Sequence, residues 1–254
     1  MGSGRETEEV KSGLTSGHPQ PYTRSKGAAD HVGLPRPFSF LGGVHNGVMP
    51  ESSHAARVTR LALWFEGALG AGALAFGWLV GHCPAIGMQW ERSAAAEELQ
   101  AAAGGLLATL PLLAVLFVID RFPLGPLRTL RDKAQSLILG MFGGASILQL
   151  AVVALAAGVG EELLFRGLIQ AGLSRLIGGP YATLIGLVLA SVVFGVCHWL
   201  DTTYAVLAAL AGAYFGWLLL ASGSLWTPIV AHATYDFLAL AYLVQPNRLL
   251  RSSV

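Results

Sequence analysis

Charged residues are scarce in this chain. Of its 254 residues, 16 are Lys or Arg and 15 are Asp or Glu, so that 12% are charged and 54% are apolar. A soluble domain carries about 25% charged residues, and this chain therefore has too little polar surface to fold in water along most of its length. The net charge of +1 also provides no field for attracting nucleic acid. A soluble enzyme and a nucleic-acid-binding protein are both excluded.

Cysteine is equally scarce. The chain has two cysteines, Cys83 and Cys197, which are too few for a disulfide framework. Both lie in apolar stretches, where a free cysteine behaves as a small hydrophobic residue. We therefore expect two buried cysteines without a catalytic role.

What the chain does have is long apolar runs. Each is close to the roughly 20 residues that a helix needs to cross the hydrocarbon core, and none alternates like a barrel strand. The fold class predicted is all-α, a polytopic transmembrane bundle of about six to eight membrane helices. The stretch 136–179 leaves the count open, because it fits one long helix, a crossing with a re-entrant piece, or two crossings. The apolar windows are 61–83, 101–119, 136–160, 178–200, 203–221 and 225–244.

The N-terminal segment differs in composition from the rest. Residues 1–60 hold 12 charged residues and several Pro-Gly-Ser-rich stretches, a composition that cannot bury enough apolar area to fold. We predict a disordered tail over 1–60, a transmembrane domain over 61–246 and a short C-terminal tail over 247–254.

The distribution of basic residues predicts the orientation. Seven basic residues lie in the tail, four in the loop 120–135 and two near the C-terminus, against one in the loop 84–100. Because Lys and Arg accumulate on the cytoplasmic side, an integral membrane protein with six crossings has both termini in the cytoplasm.

A few ionisable residues interrupt the apolar windows. Charged groups are costly inside a bilayer, by about 2.5 to 3.5 kcal/mol on insertion scales, so the ones that remain there are functional candidates. Glu66 stands alone in its window, and we expect a structural role for it. The other six are Glu161, Glu162, Arg166, His198, His232 and Asp236.

Three short motifs hold these six residues. In Glu161-Glu162-x-x-x-Arg166, the second acid and the base are four residues apart on one helical face and can pair. Glu161 points about 100° away and is left without that partner, an arrangement typical of a general base beside a structural acid. Phe194-x-x-x-His198 and His232-x-x-x-Asp236 each place a histidine on one face with a neighbour. Burying the three motifs against each other costs less than exposing any of them to lipid, so we predict a polar chamber within the membrane.

The chamber suits hydrolysis of a peptide bond, because a carboxylate and two imidazoles can activate water and stabilise an oxyanion. The sequence has no His-Glu-x-x-His zinc helix and no Gly-x-Ser-Gly serine site. The order and spacing of the three motifs resemble the CPBP family of intramembrane proteases, also called the Abi or type II CAAX endoprotease family, over residues 130–245. That family usually has Asn where this chain has Asp236.

The resemblance implies roles for the six residues. Glu161 would activate water with His198, Glu162 and Arg166 would support the site, and His232 with Asp236 would stabilise the oxyanion. It also implies a membrane-anchored or lipidated protein or peptide as substrate. The favoured mechanism needs no cofactor. A zinc ion is the alternative, and its ligands would be Glu161, His198, His232 and Asp236.

Two other functions fit the same residues. Buried Glu, His and Arg also mark the proton relays of ion-coupled transporters. A non-catalytic membrane scaffold or immunity protein on the same fold is the third interpretation.

Overall fold

The computed structural model describes residues 51–88, 94–122 and 124–244, and these residues form helices and connecting loops without a strand. The predicted all-α class is confirmed. In chain order the elements are α1 (Glu51–Leu79), α2 (Ala95–Arg121), α3 (Pro126–Phe142), α4 (Ile147–Glu162), a π-helical segment (Leu163–Gln170), α5 (Ala171–Ile177), α6 (Ala182–Cys197), α7 (Thr202–Ser222) and α8 (Trp226–Val244).

Five described helices are long and apolar enough to cross a membrane, by length and composition. The apolar window 178–200 corresponds to α6, which has only 16 residues. At 1.5 Å per residue it is about 24 Å long, short of the roughly 30 Å hydrocarbon core. The protein is therefore embedded in the membrane by several passes. The five long helices are Ser53–Leu79, Ala95–Arg121, Ile147–Ile177, Thr202–Ser222 and Trp226–Val244.

The stretch 136–179 is divided in a way that the apolar window 136–160 does not show. α3 carries four charged residues and ends at Phe142. A new helix begins at Ile147, where Ser146 and Gln149 form a capping box: the Gln149 N–H donates to the Ser146 hydroxyl, and the Ser146 N–H donates to the Gln149 side chain. From there α4, the π-helical segment and α5 run without a break to Ile177. A window at 136–160 was therefore wrong, because local capping ends one helix inside it and begins another.

Three further expectations concern the N-terminal tail, the C-terminal tail and the two cysteines. α1 begins at Glu51, so residues 51–60 are helical and do not belong to a disordered tail. Residues 1–50 and the C-terminal tail 247–254 lie outside the described residues. Cys83 and Cys197 are exposed on the surface of the bundle, and the expectation that they are buried was wrong.

Glycines set how closely the helices around α4 approach. A Cβ at Gly160 would overlap the carbonyl oxygen of Glu66 in α1, and a Cβ at Gly158 would lie 2.9 Å from the backbone nitrogen of Ala233 in α8. Small residues allow such backbone contacts between membrane helices. They hold α1 and α8 against the end of α4, next to Glu161 and Glu162.

Candidate functional site

The helix geometry changes where the first motif begins. α4 ends at Glu162 and continues as the π-helical segment Leu163–Gln170. A π-turn is wider than an α-turn and is frequent at functional sites. Glu162 and Arg166 still face each other across it, with Arg166 Nη1 donating to Glu162 Oε1 at 2.9 Å. The pair predicted from the four-residue spacing is present.

Arg166 is enclosed on all sides, with 1% of its surface exposed. Besides Glu162, its Nη2 donates to the carbonyl oxygen of Gly212 in α7 at 3.0 Å. Its guanidinium carbon lies 4.4 Å from the ring centre of Phe194 and 5.2 Å from that of Phe215. Such cation–π contacts are strongest where water is excluded. The buried cation therefore connects the π-helical segment to α6 and α7.

His232 is held between two carboxylates. Its Nδ1 donates to Glu162 Oε1 at 2.8 Å, and its Nε2 lies 3.4 Å from Asp236 Oδ2. The imidazole also stacks on Phe215, with ring centres 4.7 Å apart and planes at 13°. Both ring nitrogens can donate at once only in the imidazolium form. The ring is consequently fixed in orientation and suited to carrying a positive charge.

His198 has a different environment. Its Nδ1 is 2.8 Å from the carbonyl oxygen of Phe194, and because a carbonyl only accepts, this nitrogen carries the hydrogen. Its ring stacks on the Phe194 side chain, with centres 4.3 Å apart. The opposite nitrogen, Nε2, faces Glu161 Oε2 at 3.5 Å. In the neutral imidazole that nitrogen is an acceptor directed at the carboxylate.

Glu161 is the unpartnered carboxylate of the first motif. It is 8% exposed, and its Oε2 is enclosed without a hydrogen-bond partner. The 3.5 Å approach to His198 is longer than a good hydrogen bond. The Glu162 carboxylate accepts hydrogen bonds from Arg166 and His232. Glu161 has no such partners and therefore retains the capacity to accept a proton.

The two histidines belong to one site despite their different places in the sequence. Predicted window boundaries put them at different depths, since straight crossing helices would leave His198 near one face. α6 ends at Cys197 after only 16 residues, so that His198 stands directly after this short helix. The ring of Phe194 lies 4.3 Å from that of His198 and 6.1 Å from that of His232. The six residues of the three motifs thus form one connected cluster, and their roles stay predictions.

Three residues outside the six lie within electrostatic reach of the cluster. Glu66 is one of them, near Glu161, His232, Asp236 and His198, and the expectation that it is structural stays a prediction. The side chains of Tyr204 and Tyr235 also lie within electrostatic reach of Asp236. Tyr235 precedes Asp236 inside a motif, which is a weak signal. Tyr204 stands at the start of α7, and nothing local in the sequence points to it.

The suggested zinc ligands do not form a metal-binding arrangement. Within the described ranges, no three His, Cys, Asp or Glu side chains are grouped so that they could hold a metal ion. The donors are directed at other protein groups: His232 Nδ1 at Glu162, His232 Nε2 at Asp236, and His198 Nδ1 at the Phe194 carbonyl. No step of the chemistry is therefore assigned to a metal.

Comparison with known proteins agrees with the motifs. Residues 143–238 match the family model described as type II CAAX prenyl endopeptidase Rce1-like. The matched segment is less than half of the chain, yet it contains all six residues of the cluster. No curated protein and no solved structure matched the chain significantly. The resemblance drawn from the three motifs is confirmed, and at the level of the family it supports a membrane endopeptidase.

Proposed function

We propose that this chain is an intramembrane endopeptidase in which Glu161 and His198 activate the water that attacks the peptide bond. The observation that carries the proposal is the opposition of Glu161 Oε2 and His198 Nε2 at 3.5 Å beside a histidine held between two acids. Both opposed atoms are acceptors when Glu161 is ionised and His198 is neutral. A water molecule that donates to both is oriented and made more nucleophilic.

The proton balance follows from these positions. The water oxygen forms a bond to the carbonyl carbon, and one water proton passes to Glu161. The carbonyl oxygen takes up the negative charge of the tetrahedral intermediate. When the carbon–nitrogen bond breaks, Glu161 returns the proton to the departing amine. One residue acts as base and then as acid, so the site needs no second proton donor.

His232 is the group suited to stabilising the oxyanion. Glu162 accepts from its Nδ1, and the N–H at Nε2, which faces Asp236 Oδ2 at a long 3.4 Å, can also donate to the oxyanion of a bound substrate. Asp236 accepts hydrogen bonds and offers no donor while it is ionised. We therefore assign it the support of a positively charged His232, whereas Asn at this position, as in the family, would donate directly.

The substrate class follows from the surroundings of the site. Five of the six residues lie on helices that are apolar enough to cross a membrane, and His198 directly follows α6, which is a shorter apolar helix. The scissile bond has to reach this depth, so the substrate is a membrane-anchored or lipidated protein or peptide. The name of the matched family points to CAAX-type substrates. Leader-peptide processing is the second possibility within the same class.

Cleavage by the purified full chain tests the proposal. The candidate substrates are a peptide ending in a farnesylated CAAX sequence and a leader peptide with a transmembrane anchor, both in lipid nanodiscs. We expect Glu161→Gln to lower the rate of cleavage by about 10²- to 10⁴-fold, the contribution of a positioned base. Glu97→Gln is the matched control, since Glu97 is exposed in the first turn of α2.

Each outcome separates the interpretations. Cleavage that is equally fast in wild type and Glu161→Gln would remove Glu161 from its role. Accumulation of a substrate gradient across vesicles, without cleavage, would favour a transporter. A function in cells that survives both Glu161→Gln and His198→Ala would favour a scaffold. A parallel reaction with a chelator tests the zinc alternative.

A further inference from the structure

Glu66 is a carboxylate inside the bundle that the proposed mechanism does not use. It is the single titratable residue between Arg60 and His82 on the first membrane helix. Its neighbours Trp64 and Phe65 face outward, whereas Glu66 is half-buried. An acid in this position is costly unless it faces a polar chamber.

A glycine contact determines where Glu66 lies. The backbones of α1 and α4 touch at Gly160, where a Cβ would overlap the Glu66 carbonyl oxygen and lie 3.4 Å from its Cα. On the same contact, a Cβ at Gly70 would lie 3.3 Å from the Cα of Gly160. Glu161 is the next residue of α4. A close backbone approach between the two helices therefore occurs beside the proposed base.

The charges around Glu66 are those of the site. Its carboxyl lies within electrostatic reach of Glu161, His232, Asp236 and His198. Glu161 interacts in turn with His232, Asp236, Glu162 and Arg166. Glu66 therefore brings α1 into the charged cluster.

Two oxygens at this place lack a partner. Glu66 Oε2 and Glu161 Oε2 are both enclosed and accept no hydrogen bond from the protein groups described. An acceptor that stays unpaired in an apolar surrounding is destabilising. Two carboxylates cannot bond each other without a donor, but one water molecule donates two hydrogen bonds. Each carboxylate has about four acceptor positions, so Glu161 can bind this water and the attacking one.

We propose that Glu66 is a positioning residue of the endopeptidase site, which holds the Glu161 carboxyl in its reactive orientation through a water that both carboxylates bind. The proposal rests on the proposed function. It assigns to α1, which lies outside the segment that matches the family model, a part in the reaction.

The first test is kinetic. In nanodiscs, with the farnesylated CAAX peptide or the anchored leader peptide, Glu66→Gln keeps the shape of the side chain and removes one acceptor oxygen. We expect kcat to fall about tenfold while KM changes by less than about twofold. A tenfold loss is about 1.4 kcal/mol of transition-state stabilisation, close to one hydrogen bond. Glu66→Asp, which shortens the side chain, is a second variant, and Glu97→Gln is the control.

The second test does not require cleavage. Infrared spectra of wild type, Glu66→Gln, Glu161→Gln and the double variant report the carboxylate stretching bands. A bridged pair predicts that removing either carboxylate shifts the band of the other, so the single-variant differences do not add up to that of the double variant.

The outcomes distinguish the two proposals. Loss of cleavage in Glu161→Gln together with unchanged kcat in both Glu66 variants would overturn the role of Glu66 alone. Equal cleavage by wild type and Glu161→Gln would overturn the proposed function. If neither peptide is cleaved, additive infrared differences would still overturn the bridge, and non-additive ones would support it.

Discussion

Arg166 is a cation in an almost completely enclosed position. Its charge is balanced by one carboxylate, one carbonyl oxygen and the faces of aromatic rings. The free-energy cost of an isolated charge in this enclosed position would be prohibitive, so the pair with Glu162 has to form together with the fold. The four-residue spacing predicted that pair, because the positions of both partners on one helix are set locally. The second partner of Glu162, His232, lies 70 residues away, and spacing contains no information about it.

Removing Arg166 is expected to destabilise the bundle strongly. Arg166→Met leaves Glu162 with one of its two charged partners and removes the link to Gly212, and breaking a buried ion pair costs about 3 to 5 kcal/mol. The measurement is the free energy of unfolding in mixed micelles. Arg175→Met is the control, since the Arg175 guanidinium donates to the Gly81 carbonyl from an exposed position. Equal losses in the two variants would contradict the assigned importance of the buried pair.

At the scale of helices, close backbone contacts depend on glycine. α1 and α4 meet at Gly160, and α6 meets α7 at Gly195, where a Cβ would lie 2.5 Å from the Ala205 carbonyl oxygen. At these positions the backbone of one helix touches the backbone of the other, so no side-chain rotation can relieve the overlap that an added methyl group would cause. Helices that carry the three motifs are held close by residues that have no side chain.

Gly160→Ala should therefore reduce both stability and cleavage. The added Cβ forces α1 away from α4, and overpacking of this kind costs about 1 to 3 kcal/mol. The same shift moves Glu161, so we expect activity to fall more than the folded fraction. Gly72→Ala is the matched control, because a Cβ there has open space and helix propensity improves by up to about 1 kcal/mol. A stable, fully active Gly160→Ala variant would refute the close contact.

The apolar runs in the sequence predicted which stretches form helices, but they did not predict where each helix ends. The end of α3 at Phe142 and the end of α6 at Cys197 are set by local turns and by packing of neighbouring helices. The π-helical segment Leu163–Gln170 has no signal in the apolar pattern. It forms where Arg166 and Gln170 reach the carbonyls of Gly212 and Gly216 in α7, which are contacts between elements.

At the scale of the whole molecule, polar contacts tie α3 to α2 and to the start of α7, and α8 joins the contact at α2. Arg131 pairs with Asp120 of α2 at 2.8 Å, and the Tyr242 hydroxyl of α8 donates to the same carboxylate. Lys133 pairs at 3.0 Å with Asp201, which caps α7 by accepting from the Tyr204 N–H. Asp201 follows His198 by three residues. The contact therefore fixes the loop that carries one of the proposed catalytic groups.

The capping contact of Asp201 predicts a pH dependence. The Tyr204 N–H, and after it Lys133, hold the pKa of Asp201 below its ordinary value of 3.8. A carboxyl whose pKa is lowered by folding stabilises the fold at pH values above that ordinary value, and the contribution is lost as the pH falls through the folded-state pKa. We expect Asp201→Ala to unfold at a lower temperature than wild type at pH 7, with the difference shrinking below about pH 4.

Two variants check the cause. Asp201→Asn keeps an acceptor for the cap and loses the pairing with Lys133, so its melting temperature should lie between those of wild type and Asp201→Ala at pH 7. A difference between wild type and Asp201→Ala that stays constant from pH 7 to pH 3 would show that the charge of Asp201 is irrelevant.

The amino-acid sequence by itself determined the membrane environment, the helical class, the family resemblance and the set of six candidate residues, because apolar runs and motif spacing are local properties. Only the tertiary structure decided that α6 is short, that a π-turn carries Arg166, and that Glu66 lies where α1 packs against α4 beside Glu161. Each of these depends on where a distant backbone or carbonyl group lies, and such positions arise only when all helices pack together.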